Sequence, residues 1–169
     1  MLPSQITTPR LILSRISFEE LQQLSIGDEL GLMFEPGFFE EPGALEVYLH
    51  EAKCSDWWLP CLIVLRDKSL VIGLCGHKGP PDAEGAIEIS YSIAPTYRCQ
   101  GFAREAVAAL VAESIRVASV SCIRAHTLPE RNASSRVLEH FGFSRVGEAL
   151  DSEEGLLWRW ELQARQVTC

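Results

Sequence analysis

Residues 93–103 decide the fold, and they read Ile93-Ala94-Pro95-Thr96-Tyr97-Arg98-Cys99-Gln100-Gly101-Phe102-Ala103. A strand ends in this stretch, the chain turns, and a helix begins at Gly101. No Ser, Thr, Asp or Asn stands directly before Gly101 to cap the first helical amides, and the helix dipole favours negative charge there. Gly101 and Ala103 are small enough to let phosphate oxygens approach the backbone, and Arg98 adds a positive charge. The pattern predicts an anion cradle; the alternative is a tight turn at Gly101 with Arg98 as a solvated surface charge.

The elements on either side of this loop have the clearest patterns. Residues 86–93 alternate between apolar and small or polar side chains, with Ile87, Ile89, Tyr91 and Ile93 on one face, which predicts a strand. Glu88 lies on the other face, where a charge within a strand is uncommon. From residue 101 to 118 apolar residues recur at helical spacing, which predicts a helix packed on the sheet.

The rest of the chain mixes strands and helices. Strands are predicted over residues 11–13, 57–65, 70–78, 123–127, 144–149 and 156–162. Helices are predicted after Ser17 and over residues 42–52 and 132–141, and residues 27–43 are predicted to be irregular. Antiparallel hairpins precede a strand-helix-strand crossover, so the expected fold class is α+β (mixed α/β), in a single domain over residues 1–169.

The composition argues against several classes of protein. Twenty-three Asp and Glu against fifteen Lys and Arg give a net charge of -8, which disfavours a nucleic-acid partner. No apolar run is long enough to span a bilayer and no secretion signal opens the chain, so a cytoplasmic protein without a membrane partner is expected. The six cysteines form no C-x-x-C pair and have no nearby His, so reduced thiols and no metal site are expected.

Three motifs resemble those of one enzyme superfamily. Arg98-Cys99-Gln100-Gly101-Phe102-Ala103 resembles the Q/R-x-x-G-x-G/A signature of the GNAT N-acetyltransferases, with the expected strand before it and helix after it. Asn132-Ala133-Ser134-Ser135, followed by Gly142-Phe143, is similar to the family's last helix and its exit. Thr8-Pro9-Arg10-Leu11-Ile12-Leu13 is similar to the opening of the branch that includes ribosomal-protein N-terminal alanine acetyltransferases. The resemblance covers nearly the whole chain.

The resemblance implies a fold and a cofactor. The fold is a curved mixed sheet, flanked by helices, whose fourth and fifth strands splay apart to hold acetyl-CoA as cosubstrate. The main chain of the loop would receive the pyrophosphate, and the main chain of the fourth strand would pair with the pantetheine arm. These coenzyme-binding positions are Tyr91, Ser92, Ile93, Arg98, Cys99, Gln100, Gly101, Phe102, Ala103 and Arg104. Asn132 and Ser135 match positions that contact the coenzyme or a water near the thioester; the alternative for Asn132 is a helix cap.

Candidate catalytic residues follow from the chemistry of acyl transfer. An attacking amine must lose a proton, and Glu88 is the candidate general base, with burial expected to raise its pKa. The alternative is a strand carboxylate that pairs with a neighbouring cation or faces solvent. The tyrosine that many relatives use as general acid is absent from the last helix, so Ser135, Tyr97 and His140 are substitutes. Cys99 lacks an activating His and is treated as incidental.

The predicted function is N-acetyl transfer from acetyl-CoA to a primary amine, which is a protein N-terminus or a small molecule. The alternative is a catalytically weak acyl-CoA-binding sensor or scaffold of the same fold. The acceptor is left open, because acceptor loops vary among such enzymes, and residues 27–58 are expected to select it. Either a monomer or a homodimer is compatible with this prediction.

Overall fold

The computed structural model describes residues 4–38, 45, 48–49, 59–152 and 154–164. Its strands are β1 (Gln5–Thr7), β2 (Leu11–Arg15), β3 (Met33–Phe34), β4 (Cys61–Leu65), β5 (Leu70–His77), β6 (Ala86–Ile93), β7 (Cys122–Thr127), β8 (Ser144–Asp151) and β9 (Gly155–Gln163). Its α-helices are α1 (Phe18–Ser25), α2 (Phe102–Ser114) and α3 (Ala133–His140), and Pro95–Tyr97 form one 3-10 turn.

All of these strands belong to one mixed sheet. The order across it is β1-β2-β4-β5-β6-β7-β9-β8, and β3 adds to β5 in parallel. The β6–β7 pair is the parallel neighbour that the α2 crossover makes, whereas the other neighbours on the main path pair antiparallel. The prediction of an α+β sheet built from hairpins and one crossover is confirmed.

Each face of the sheet has its own apolar core. The face toward α2 and α3 buries Ile87, Ile89 and Ile93 of β6 against Val107 and Leu110 of α2. The opposite face packs on α1, on Leu45 and on residues 48–49. Leu62, Val71 and Leu74 of the sheet meet Leu21 and Leu24 of α1 there, together with Tyr48. Because strand side chains alternate, β6 presents its even-numbered residues to this second face.

The predicted elements agree closely with the observed ones, with three differences. The strand over residues 86–93 is confirmed residue for residue, and α3 has the predicted Asn132 cap. The central helix ends at Ser114, not at residue 118. The Ser114 hydroxyl donates to the carbonyl of Leu110, and the chain tightens into turns directly afterwards. The short strands β1 and β3 carry too few residues to show a periodicity and were not predicted.

Some predictions fall partly outside the described residues. Of the helix predicted over residues 42–52, residues 48–49 are helical, and most of the remainder lies outside the described part of the chain. The first two residues of the strand predicted over 57–65 lie there as well. In the described part of the chain, no helix has the length and apolarity that crossing a bilayer requires.

Candidate active site

A cleft opens where β6 and β7 part. The two strands pair only through Ala86 with Cys122, Ile87 with Ile123, and Glu88 with Arg124. Beyond Glu88 they share no ladder, although β6 continues to Ile93 and β7 to Thr127. The resemblance implies that the fourth and fifth strands splay apart. In the structure, the strands that separate in this way are β6 and β7.

One edge of the cleft carries main-chain groups of β6 that do not pair with β7. The Glu88 carbonyl accepts from the Lys78 amide, and the Ala94 amide donates to the Ile72 carbonyl, so the even-numbered residues of β6 hydrogen-bond to β5. Main-chain groups alternate direction along a strand, so those of Tyr91 and Ile93 point away from β5 and toward β7. The main chain of Ser92 faces β5, with which it pairs at Leu74. The edge that faces β7 therefore consists of Tyr91 and Ile93, and the Ile93 carbonyl there accepts from Nε of Arg98. The main chain of Ser92 points the other way, and its pairing with the coenzyme stays a prediction.

A small pocket of about 60 Å³ lies where the strands separate. The Tyr91 hydroxyl donates to the Ser134 carbonyl across 3.2 Å, which links β6 to the first turn of α3. The residues that line this pocket come from both strands, from the position after β5 and from α3: Lys78, Glu88, Ile89, Ser90, Tyr91, Ala125, His126 and Ser134.

Glu88 is the centre of a charged cluster in this pocket. Its Oε1 lies 2.8 Å from Nζ of Lys78 and 3.0 Å from Nδ1 of His126. Its side chain is 23% exposed. Burial alone would raise the pKa of Glu88, but the hydrogen bond from His126 and the Lys78 ammonium outweigh it and hold the pKa below its ordinary value. Glu88 is therefore an ionised carboxylate at neutral pH.

This cluster corrects one expectation and adds two residues. The expected rise in the pKa of Glu88 is wrong, because the expectation counted burial and not the cationic partners. Lys78 comes from the end of β5 and His126 from β7, and sequence reasoning singled out neither. The available signal was strand alternation, which assigns Lys78, Glu88 and His126 each to one face of its own predicted strand. Alternation does not bring the three side chains together.

The loop before α2 is open at the predicted cradle. Arg98, Cys99, Gln100, Gly101 and Arg104 are exposed, while Phe102 is buried as an anchor for the helix. Gly101 is the N-cap residue, has φ of 83°, and makes no side-chain cap hydrogen bond. The first turn of α2 is therefore exposed, and the binding of an anion there stays a prediction.

Two arginines brace this loop. Nε of Arg98 donates to the Ile93 carbonyl at 2.8 Å, so its side chain ties the loop back to the end of β6. Arg10 belongs to the Thr8–Leu13 motif but was not predicted as a site residue, and it lies beside the helix start. Its Nε contacts Glu105 Oε2 at 2.7 Å, its Nη1 donates to the Gln100 carbonyl at 3.0 Å, and its guanidinium lies over the Phe102 ring. Arg10 therefore holds the helix start in place and brings positive charge to it.

Comparison with protein families identifies this architecture. The Acetyltransferase (GNAT) domain model matches residues 10–144. The chain belongs to this family. Its splayed strands and its uncapped helix start are thus features of a GNAT domain, and the resemblance seen in the three motifs is confirmed at the level of the family.

Two curated GNAT relatives match part of the chain. The uncharacterized N-acetyltransferase p20 from Bacillus licheniformis is 29% identical over 92 residues, and the uncharacterized N-acetyltransferase YjdG from Bacillus subtilis (strain 168) is 32% identical over 91 residues. Each match covers 54% of this chain and 52% of the relative. The chain thus spans about half the length of the curated relatives it matches.

Solved GNAT structures share the fold at lower identity. The ribosomal-protein-S5-alanine acetyltransferase from Vibrio fischeri superposes with a TM-score of 0.67 at 15% identity, covering 99% of this chain and 100% of that one. An acetyltransferase from Bacillus anthracis gives 0.67 at 16% identity, covering 96% and 99%. Mutant forms of the spermidine/spermine N-acetyltransferase SpeG from Vibrio cholerae give 0.65 at 17% identity, covering 94% and 96%. At these identities the likeness shows the fold.

Asn132 and Ser135 form a reciprocal cap on α3 of this GNAT domain. The Asn132 side chain accepts from the Ser135 amide at 2.9 Å, and Ser135 Oγ accepts from the Asn132 amide at 2.9 Å. Ser135 Oγ also donates to the Asn132 carbonyl at 3.0 Å, and Ser135 is fully buried. The cap accounts for both side chains. Their coenzyme contacts, and Ser135 as a catalytic residue, stay predictions, and it is the neighbouring Ser134 that lines the pocket.

The other candidates for acid and nucleophile have ordinary surroundings. His140 is exposed in the last turn of α3, with its ring against Phe141. Tyr97 packs near Phe102. Cys99 is exposed and free, whereas Cys61, Cys75 and Cys122 are buried and free. In the described residues, no group of three or more His, Cys, Asp and Glu side chains is arranged to hold a metal ion.

Replacing Asn132 separates capping from coenzyme binding. Asn132→Ala removes the side-chain acceptor, and the free energy of unfolding is expected to fall by about 1 kcal/mol, whereas Asn132→Asp keeps an equivalent cap and the stability. Urea denaturation measures the first effect and calorimetric titration with CoA the second. If Asn132 serves only the cap, the Asp variant binds CoA as the wild type does. A loss of CoA affinity in the Asp variant with unchanged stability contradicts this expectation.

Proposed function

We propose that the chain transfers an acetyl group from acetyl-CoA to a primary amine. The observation that carries the proposal is the cleft between β6 and β7, which begins beyond Glu88 and has the uncapped start of α2 at the end of β6. A polar chain with an anionic end fits this combination, because free main-chain groups line the cleft and free amides with positive charge lie beyond it.

The residues that would hold acetyl-CoA are those of the loop and of the free strand edge. The main chain over residues 98–104 is suited to the pyrophosphate, and Arg10 adds a cation beside it. The main-chain groups of Tyr91 and the amide of Ile93, which point toward β7, are suited to the amides of the pantetheine arm. The coenzyme supplies a thioester, which is an activated acyl donor with a fair leaving group.

The proposed acceptor is an amine that reaches the thioester from the second face of the sheet. Glu88, Lys78 and His126 lie on that face. Tyr48 packs beside them, and its hydroxyl donates to the Ser90 carbonyl. One structural neighbour is named as a ribosomal-protein-S5-alanine acetyltransferase and another as a spermidine/spermine N-acetyltransferase. The acceptors in these names carry amines. A protein N-terminus or a small-molecule amine is therefore the proposed acceptor class.

Direct transfer is the proposed mechanism. The neutral amine nitrogen attacks the thioester carbonyl carbon, the new N–C bond forms, and the C–S bond breaks with its electron pair left on the CoA sulfur. The amine loses one proton, and the charged cluster around Glu88 is the group in the described part of the chain that is placed to take it. No covalent enzyme intermediate is part of this proposal.

Purified protein, acetyl-CoA and a panel of amines test the proposal. The panel contains peptides with alanine, serine and methionine N-termini, together with spermidine and simple amino compounds. The expected result is release of CoA thiol that depends on one class of amine, with the acetylated product seen by mass spectrometry. Tight CoA binding without thiol release across the panel would instead support the sensor or scaffold alternative.

A further inference from the structure

We propose that His126 is the residue that takes the proton from the acceptor amine, and that Glu88 acts by positioning the His126 ring. The inference rests on the proposed acetyl transfer and assigns an atom to its proton-transfer step. It shifts the role of base from the carboxylate on β6 to an imidazole on β7.

The position of His126 follows from the strand register. Glu88 pairs with Arg124 at the last rung of the β6–β7 ladder, and His126 lies two residues further along β7. Residues two apart on a strand share a face, so the His126 ring lies on the same face as Arg124, beside the first unpaired stretch of the cleft. The ring is therefore at the opening itself, and its side chain is 16% exposed.

The contact with Glu88 decides which ring nitrogen is free. His126 Nδ1 lies 3.0 Å from Glu88 Oε1. An ionised carboxylate only accepts hydrogen bonds, so Nδ1 must carry the hydrogen. In the neutral ring the lone pair is then on Nε2, which is the nitrogen that accepts a proton. The pair is the arrangement in which a carboxylate fixes the tautomer and the orientation of a histidine ring.

Glu88 itself is a poor proton acceptor in this environment. Its Oε1 already receives hydrogen bonds from Lys78 at 2.8 Å and from His126. The same partners hold the pKa of Glu88 below its ordinary value, and a carboxylate with a lowered pKa is a weak base. An imidazole is intrinsically the stronger base of the two side-chain types.

The surroundings of His126 combine several charges. Lys78 and Glu88 face it from β5 and β6, and Arg159 of β9 is its cross-strand partner. Arg124 precedes it on the same face of β7 and contacts Glu161 and Asp82. Glu88 is the carboxylate in direct contact with the ring.

The proton balance of the step is simple. As the amine nitrogen forms its bond to the acetyl carbon, its proton passes to Nε2 of His126, and the ring becomes an imidazolium hydrogen-bonded to Glu88. The C–S bond breaks and the sulfur leaves as a thiolate. The proton then passes from the imidazolium to the thiolate or to water, which returns the ring to its starting tautomer.

Replacing His126 tests the assignment with the best acceptor from the amine panel. His126→Ala is expected to lower kcat by about 10² to 10⁴. The affinity for CoA, measured by calorimetry, should change by less than about twofold, because the ring lies on the face away from α2. The part of the acid limb of the pH–kcat/KM profile that does not come from protonation of the acceptor amine itself should disappear in this variant, and added imidazole should restore part of kcat. Glu148→Ala, which removes an exposed side chain of β8, is the control and should leave kcat unchanged.

Glu88→Gln distinguishes positioning from proton acceptance. A glutamine oxygen still accepts from Nδ1, so the tautomer persists while the negative charge is lost. We expect a smaller fall in kcat than in His126→Ala, and an acid limb that persists, because the imidazole that takes the proton is still present. Loss of the acid limb in Glu88→Gln together with its retention in His126→Ala would assign the base to Glu88 and overturn the proposal.

The tautomer of His126 gives a readout that does not depend on turnover. Nitrogen NMR of the wild-type protein at neutral pH should show hydrogen on Nδ1 of His126. Hydrogen on Nε2 in place of Nδ1 overturns the proposal, whatever the activity. If the tautomer is as expected and no amine in the panel releases thiol, it is the proposed acetyl transfer that fails.

Discussion

Tryptophan at position 101 is expected to weaken CoA binding tenfold to about a hundredfold. A side chain at Gly101 begins 3.3 Å from Nη2 of Arg10, so it covers the exposed amides at the start of α2 and displaces the cation beside them. Charge-assisted hydrogen bonds contribute about 1.5–3 kcal/mol each, and about 1.4 kcal/mol corresponds to a tenfold change in affinity. Calorimetric titration of Gly101→Trp with CoA measures the effect.

Gly142→Trp is the matched control for this experiment. Gly142 has φ of 81°, close to the 83° of Gly101, and a Cβ at Gly142 meets nothing within 4 Å. Both substitutions place an L-residue in the left-handed region, at a cost of about 1–2 kcal/mol in stability. The control should therefore lose stability and retain CoA affinity. Equal CoA affinity in the two variants would remove the start of α2 from the proposed coenzyme site.

Removing the guanidinium of Arg15 is expected to give the largest loss of stability, about 3–5 kcal/mol. Nη2 of Arg15 lies 3.0 Å from Oε1 of Glu113, and the two side chains are only 11% and 6% exposed. Arg15 Nη1 also donates to the Leu59 carbonyl at 2.7 Å. Arg15→Met leaves the Glu113 carboxylate buried without this partner, and urea denaturation measures the cost.

The pH dependence of this variant has a definite sign. Burial raises the pKa of Glu113 in the folded protein, and Arg15 opposes that rise. Without Arg15 the pKa rises further, so the folded state holds its proton to higher pH than the unfolded state does. The deficit of Arg15→Met is therefore smallest below the ordinary carboxyl pKa of about 4.3 and grows as the pH rises. A deficit that does not change with pH contradicts this account.

Two further variants complete the test of the ion pair. Arg15→Met combined with Glu113→Leu should recover most of the lost stability, because no buried charge remains. Arg131→Met breaks a pair with Glu139 of similar length, 3.0 Å, whose side chains are 73% and 40% exposed. Solvent screens that pair, so a loss below about 1 kcal/mol is expected.

Sequence periodicity was sufficient for the long elements and not for the short ones. The alternation in residues 86–93 and the helical spacing after Gly101 span several repeats, so β6 and the start of α2 were predicted correctly. The end of α2 was misplaced because apolar spacing continues after Ser114, where the backbone has already turned. β3 is only two residues long and forms because β5 offers an edge for it, which no local pattern records.

The candidate site likewise has features that the sequence predicted correctly and features that it did not. Asn132 was predicted as a cap from its position before a helix, and the structure has it as a cap. Glu88 was singled out as a charge within a strand, but its ionisation was predicted in the wrong direction. Its pKa depends on Lys78 and His126, which are ten residues before it and thirty-eight after it in the chain.

The sequence by itself determined the family, the loop that offers its amides at Gly101, and the alternation that turns Glu88 away from the helical core. These are local properties, carried by spacing and by residue size. Only the tertiary structure decided that β6 and β7 separate after a single parallel ladder of three pairs, and that His126 meets Glu88 at that point. The physical reason is that strand register and the partners of a buried charge arise from elements distant in the chain, and both depend on how those elements pack.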